Sequence, residues 1–155
     1  MARSPLPFVA LVVAALALGA CTGTPHDDTP VGAVRLFVAA MERSAEDRRG
    51  LEEAYHLLSL ATRERLVERA REAAALGARE REPWEMMVEG TAHLRFTPRA
   101  GGFRQQREGG SADRVTVLVL GSEEGQRAEI PVVREDDVWR VELEVPVAGA
   151  GPAAE

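Results

Sequence analysis

The stretch Val132-Val133-Arg134-Glu135-Asp136-Asp137-Val138-Trp139-Arg140-Val141-Glu142-Leu143-Glu144-Val145 decides the fold class. Trp139, Val141, Leu143 and Val145 alternate with Arg140, Glu142 and Glu144. A period of two places apolar side chains on one face of a half-buried strand. The run before it, Ala128-Glu129-Ile130-Pro131-Val132-Val133, reads as the partner strand, and Asp136-Asp137 as the turn of the hairpin. Pro131 has no N–H to give to a ladder, so its place is an edge or a bulge.

Moving towards the N-terminus, Val115 to Leu120 is a continuous apolar run, the mark of a central strand. Ala92, Leu94 and Phe96 alternate with His93 and Arg95 as another strand. Gly90, Gly101-Gly102, Gly109-Gly110 and Gly121 read as turns. Residues 95–110 fit either two strands or one strand and a long loop. After Pro83, then, the chain is antiparallel sheet.

Before Pro83 the apolar period is near 3.6. Thr29-Pro30 reads as an N-cap followed by proline in the first helical position. Val34, Phe37, Val38 and Met41 form the buried face of the helix that follows. Ser44-Ala45-Glu46-Asp47 has the spacing of a capping box and predicts a second helix starting near Ser44, with Leu51, Ala54, Tyr55, Leu57 and Leu58 inward. A third helix is expected from Thr62 to Leu76, burying Leu66, Val67, Ala70, Ala73 and Ala74 and turning an Arg/Glu face to solvent.

Helices first and an antiparallel sheet afterwards is the α+β pattern, with N-terminal helices packed on a curved sheet. The chain resembles the NTF2-like, cystatin-type cone over roughly residues 29–147. The residues that carry the resemblance are Val34–Met41, the Glu53-Ala54-Tyr55-His56-Leu57-Leu58-Ser59 segment, Val115–Leu120 and the Val132–Val141 hairpin. The resemblance implies a pocket between the concave face of the sheet and the helices.

The N-terminus reads as an export signal. One positive residue, Arg3, precedes an uncharged run from Leu6 to Ala20 that is too short to span roughly 30 Å of hydrocarbon comfortably. Leu18-Gly19-Ala20-Cys21 resembles the lipobox of bacterial lipoproteins. The resemblance implies cleavage after Ala20 and acylation of Cys21, with residues 1–20 as signal peptide, 21–28 as a flexible tether, 29–147 as the domain and 148–155 as a disordered tail. Two or three acyl chains give lasting membrane attachment without a transmembrane helix. Thr22 stands where many inner-membrane lipoproteins carry Asp, which points to the periplasmic face of the outer membrane.

The formal charge is −6, and every basic residue is Arg, interspersed with Glu rather than gathered into a stripe. That argues against nucleic acid and anionic headgroups as main partners. No catalytic set and no cofactor site is legible. His26-Asp27-Asp28 offers ligand types that suit a divalent metal, but three consecutive residues of a tether rarely converge on one ion, so no metal site is expected. Tyr55, Trp84, Met87 and His93 are the candidate pocket residues. Tyr55 reads first as core with its hydroxyl near a polar partner, and His93 as a solvent-facing strand residue. Trp84, Met86, Met87 and Val88 read as core, or else as one wall of a ligand mouth. The expected function is a lipid-anchored envelope protein whose non-catalytic domain binds a protein partner or a small apolar ligand. The alternatives are an isomerase- or hydrolase-type cone enzyme using Tyr55 or His93, and a structural homodimer.

Overall fold

The computed structural model describes residues 26–87, 94–106 and 111–145. Three helices, α1 (Pro30–Arg43), α2 (Arg49–His56) and α3 (Leu60–Ala75), lead through a short 3-10 turn at Pro83–Met87 into four strands. These are β1 (Pro98–Gln106), β2 (Arg114–Gly121), β3 (Arg127–Glu135) and β4 (Val138–Val141), an antiparallel meander in the order β1-β2-β3-β4. The sheet curls into a half-barrel around the helices, the α+β arrangement expected.

α1 begins where Thr29 Oγ1 accepts the amide of Gly32 at 3.0 Å, with Pro30 supplying a first-turn φ and no orphan N–H. Gly32 faces the carbonyl of His26, which a Cβ would meet at 1.8 Å, so the chain preceding the helix folds tightly over its first turn. Val34, Phe37, Val38 and Met41 are all buried. They meet Val117 and Val119 of β2, Ile130 and Val132 of β3, and Trp139 and Val141 of β4 in one core. Each such burial contributes about 1.5–3 kcal/mol. Arg35, on the same helix, places its guanidinium 5.2 Å from the ring centroid of Phe103 on β1.

Two helix boundaries differ from expectation. Ser44 caps no helix N-terminus. It ends α1 in the αR conformation, with its hydroxyl donating to the Met41 carbonyl at 2.6 Å, whereas an N-cap needs extended backbone. α2 starts at Arg49, whose amide donates to the Asp47 carboxylate at 2.9 Å. α3 starts two residues before Thr62 because Ser59, extended and fully buried, accepts the Thr62 amide at 3.2 Å. Glu135, at the end of β3, accepts the next free amide of that helix, Leu60, through both carboxylate oxygens. Ala74, expected inward on α3, is exposed.

In the sheet, Asp136 and Asp137 both have positive φ, as a two-residue hairpin turn requires. Gly101-Gly102 is not a turn. Both lie inside β1, where the six residues from Pro98 to Phe103 oppose the three from Gly121 to Val119 in a bulge. A Cβ on Gly102 would meet the Leu120 carbonyl at 2.5 Å, so glycine lets β1 close on β2. Leu94 and Phe96 are half-buried outside the ladder, so the strand expected there is absent at 94–97; Ala92 and His93 lie outside the described residues. β4 is four residues long rather than running to Val145.

The outer edge of β4 is closed by three separate segments. The Trp139 amide donates to the Asp27 carbonyl at 2.7 Å, and the Val141 amide to the Leu57 carbonyl at 2.9 Å. Leu143, just past the strand, donates to Thr62 Oγ1 at 3.1 Å, while the Val141 carbonyl accepts from Ser59 at 2.8 Å. Leu58 forms a parallel bridge with Val141. Asp27 also pairs with Arg140, so residues before Thr29 take part in the packing of the domain.

Thr62→Val keeps shape and β-branching but leaves the Leu143 amide and the proton of the Ser59 hydroxyl without their acceptor. Chemical denaturation is expected to show a loss of about 1–3 kcal/mol; an unchanged midpoint would remove Thr62 from this account. Gly102→Ala is expected to cost about 1–3 kcal/mol by forcing β1 away from β2, read as a lower urea midpoint with an unchanged far-UV spectrum.

Candidate functional site

The pairing of β3 determines where the fold opens. β3 pairs with β2 from Arg127 to Val133, but with β4 only from Val132 to Glu135. Pro131 is the reason. Its carbonyl accepts the Glu142 amide at 2.9 Å, but it has no N–H to return, while the Leu143 amide, which faces away from β3, is held on the outer side by Thr62. The chain after β4 therefore leaves the sheet, and a groove of about 820 Å³ opens between the first half of β3 and Glu142–Glu144.

Phe37 of α1, Leu94, Phe96, Ile130 and Leu143 give the groove an apolar lining. Arg95, Arg127, Glu129, Glu142 and Glu144 carry its charge. Glu142 is paired with Arg114 at 3.2 Å. The volume is in the range of ligand-binding clefts. Thr116 is the one hydroxyl-bearing residue among the described lining, and no imidazole, phenol or thiol is among it. A smaller recess of about 330 Å³ shares Leu94, Arg95 and Phe96 with the groove and lies against Val38 and Met41.

Of the residues singled out from sequence, Tyr55, Trp84 and Met87 do not line this groove. Tyr55 and Trp84 meet edge-to-face, with ring centroids 6.2 Å apart, where α2, α3 and the Pro83–Met87 turn come together. Met86 and Met87 are buried in the core beside them. Tyr55 faces a shallow recess of about 400 Å³ along α3, lined also by Val67 and by Arg63, Glu64, Glu68 and Arg71. Glu85, on the same turn, is held by Arg48 and Arg79 and accepts the Glu82 amide, which locks this corner as a structural joint. His56 is exposed at the end of α2, against the Tyr55 ring. His93, Val88 and Cys21 lie outside the described residues.

His26 is exposed, and Asp27 is engaged by Arg140 rather than by a neighbouring ligand. Among the described residues no group of three or more His, Cys, Asp or Glu is placed to hold a metal ion. Nor is any described helix long and apolar enough to cross a membrane.

The groove residues were visible in the sequence only as members of alternating apolar runs. What makes them a site is the parting of β3 from the chain after β4, and that depends on which strand Pro131 faces. No protein-family model matches the chain, and neither a curated protein nor a solved structure matches it.

Proposed function

We propose that this is a lipid-anchored protein of the bacterial cell envelope, held through acylated Cys21 on the periplasmic face of the outer membrane. Its domain, an NTF2-like cone, binds a protein partner or a small apolar ligand in the β3 groove. The observation that carries the binding reading is the groove itself: about 820 Å³ beside the core, with an apolar lining and opposite charges around it. The lipobox residues Leu18-Gly19-Ala20-Cys21 carry the anchor.

The two parts of the proposal are physically compatible. Asp27 is bonded to both Trp139 and Arg140 on β4, so the domain is fixed to its own N-terminal segment six positions after Cys21. Six extended residues span about 20 Å. A domain on so short a lead works at high effective concentration towards anything at the membrane surface.

Native mass spectrometry of the protein extracted from its own membrane in mild detergent is expected to show a chain starting at Cys21 with acyl mass; an unmodified chain would sink the anchor. The binding reading predicts that the fluorescent apolar probe 1-anilinonaphthalene-8-sulfonate binds the same preparation. Leu94→Glu and Phe96→Glu are each expected to weaken it about tenfold. Equal affinity in both variants would place the probe outside the groove.

A further inference from the structure

We propose that the groove takes an extended peptide segment of a partner protein, added as a strand to the open half-edge of β3. This rests on the binding reading above and names the chemistry of what is bound.

Backbone direction along β3 carries the argument. The Arg134 amide donates to the Asp113 carbonyl at 2.7 Å, and the Gly121 amide to the Gln126 carbonyl at 2.8 Å, so Gln126 and Arg134 face β2. Backbone groups alternate sides along an antiparallel strand, so Arg127, Glu129 and Pro131 face the other way. Pro131 is answered by Glu142. The N–H and C=O groups of Arg127 and Glu129 have no hydrogen-bond partner among the described residues. They form a short row of donors and acceptors along one wall of the groove, in the direction that β4 would have covered had it continued.

An apolar small molecule would fill the groove and leave that row unanswered. An extended peptide answers it with main-chain hydrogen bonds and sends alternate side chains to opposite faces. One set falls towards Phe37 and Phe96. The other lies on the side of Glu129 and Glu144, both exposed. Arg127 on this edge and Arg95 across the groove are its cations, against Glu129, Glu144 and the Arg114-paired Glu142, and the chain as a whole carries −6. The complementary segment is therefore a strand with apolar residues at one set of alternate positions and basic residues at the other. The open stretch is short, interrupted by Pro131 and bears charges of both signs, features that limit indiscriminate edge pairing and restrict entry to a matched strand.

The test uses the protein purified from its membrane in detergent, isotope-labelled and titrated with a blocked hexapeptide of alternating valine and lysine. The same peptide N-methylated at alternate amides serves as a control, because it keeps the side chains and loses half its donors. The proposal expects the amide signals of Arg127 and Glu129 to move with the unmodified peptide, and the methylated peptide to bind about tenfold more weakly. Glu129→Arg, at an exposed position, is expected to weaken the lysine peptide, while the anionic 1-anilinonaphthalene-8-sulfonate binds at least as tightly beside the added positive charge. Probe binding without peptide binding would overturn strand addition and keep a groove for a small apolar ligand. Self-association on concentration that moves the same two amides would make the occupant a second copy and also overturn it. Binding of neither peptide nor probe would overturn both this proposal and the reading beneath it.

Discussion

The structure depends on how the last strand is closed. β4 is only four residues long and would present a bare outer edge if left alone. Its outward amides are met instead by Asp27, by Leu57 and, one residue beyond the strand, by the hydroxyl of Thr62. These partners come from before α1, from the α2–α3 junction and from the first turn of α3. One edge therefore gathers the N-terminal segment and two helices, and the burial of Leu58, Ser59 and Thr62 beneath it keeps those hydrogen bonds away from competing water. Glu135 adds a second tie from the same hairpin to the start of α3.

The same closure makes the groove. Thr62 draws Leu143 away from the sheet just where Pro131 cannot hold its neighbour with a second hydrogen bond. A ladder that continued to Val145 would cover β3 and leave no opening. The site is thus a consequence of where two residues with no chemistry of their own sit relative to each other. The charged groups around it, Arg127 and Glu129 on β3 and Glu144 beyond β4, are ordinary solvent-facing residues that the opening turns into a lining. Across the molecule, the Tyr55–Trp84 contact and the Glu85 joint serve the packing of α3, which reaches the rest of the fold largely through the Pro83–Met87 turn.

Much of this was legible from periodicity, because periodicity reports burial. Val34, Phe37, Val38 and Met41 lie in the core as their spacing requires, Thr29-Pro30 starts α1, and Asp136-Asp137 turns the last hairpin. The misreadings share one cause, which is that the deciding partner is distant in sequence. Ser59 rather than Ser44 caps a helix because its backbone is held extended by Val141, far along the chain. Gly101-Gly102 looks like a turn, yet lies in a bulge because β1 must approach the carbonyl of Leu120. Leu143 and Val145 keep the alternation of a strand and leave the ladder through Pro131 and Thr62. Tyr55, Trp84 and Met87, read first as core, pack in or against the core.

Residue-resolved amide hydrogen exchange reads out whether one side of the last hairpin is sealed while half of β3 stands open. Slow exchange, approaching the global limit, is expected at Trp139, Val141 and Leu143, and fast exchange at Arg127 and Glu129 of β3. Equal protection at Arg127, Glu129 and Leu143 would mean that the β3 edge is already paired, and would contradict an open edge there.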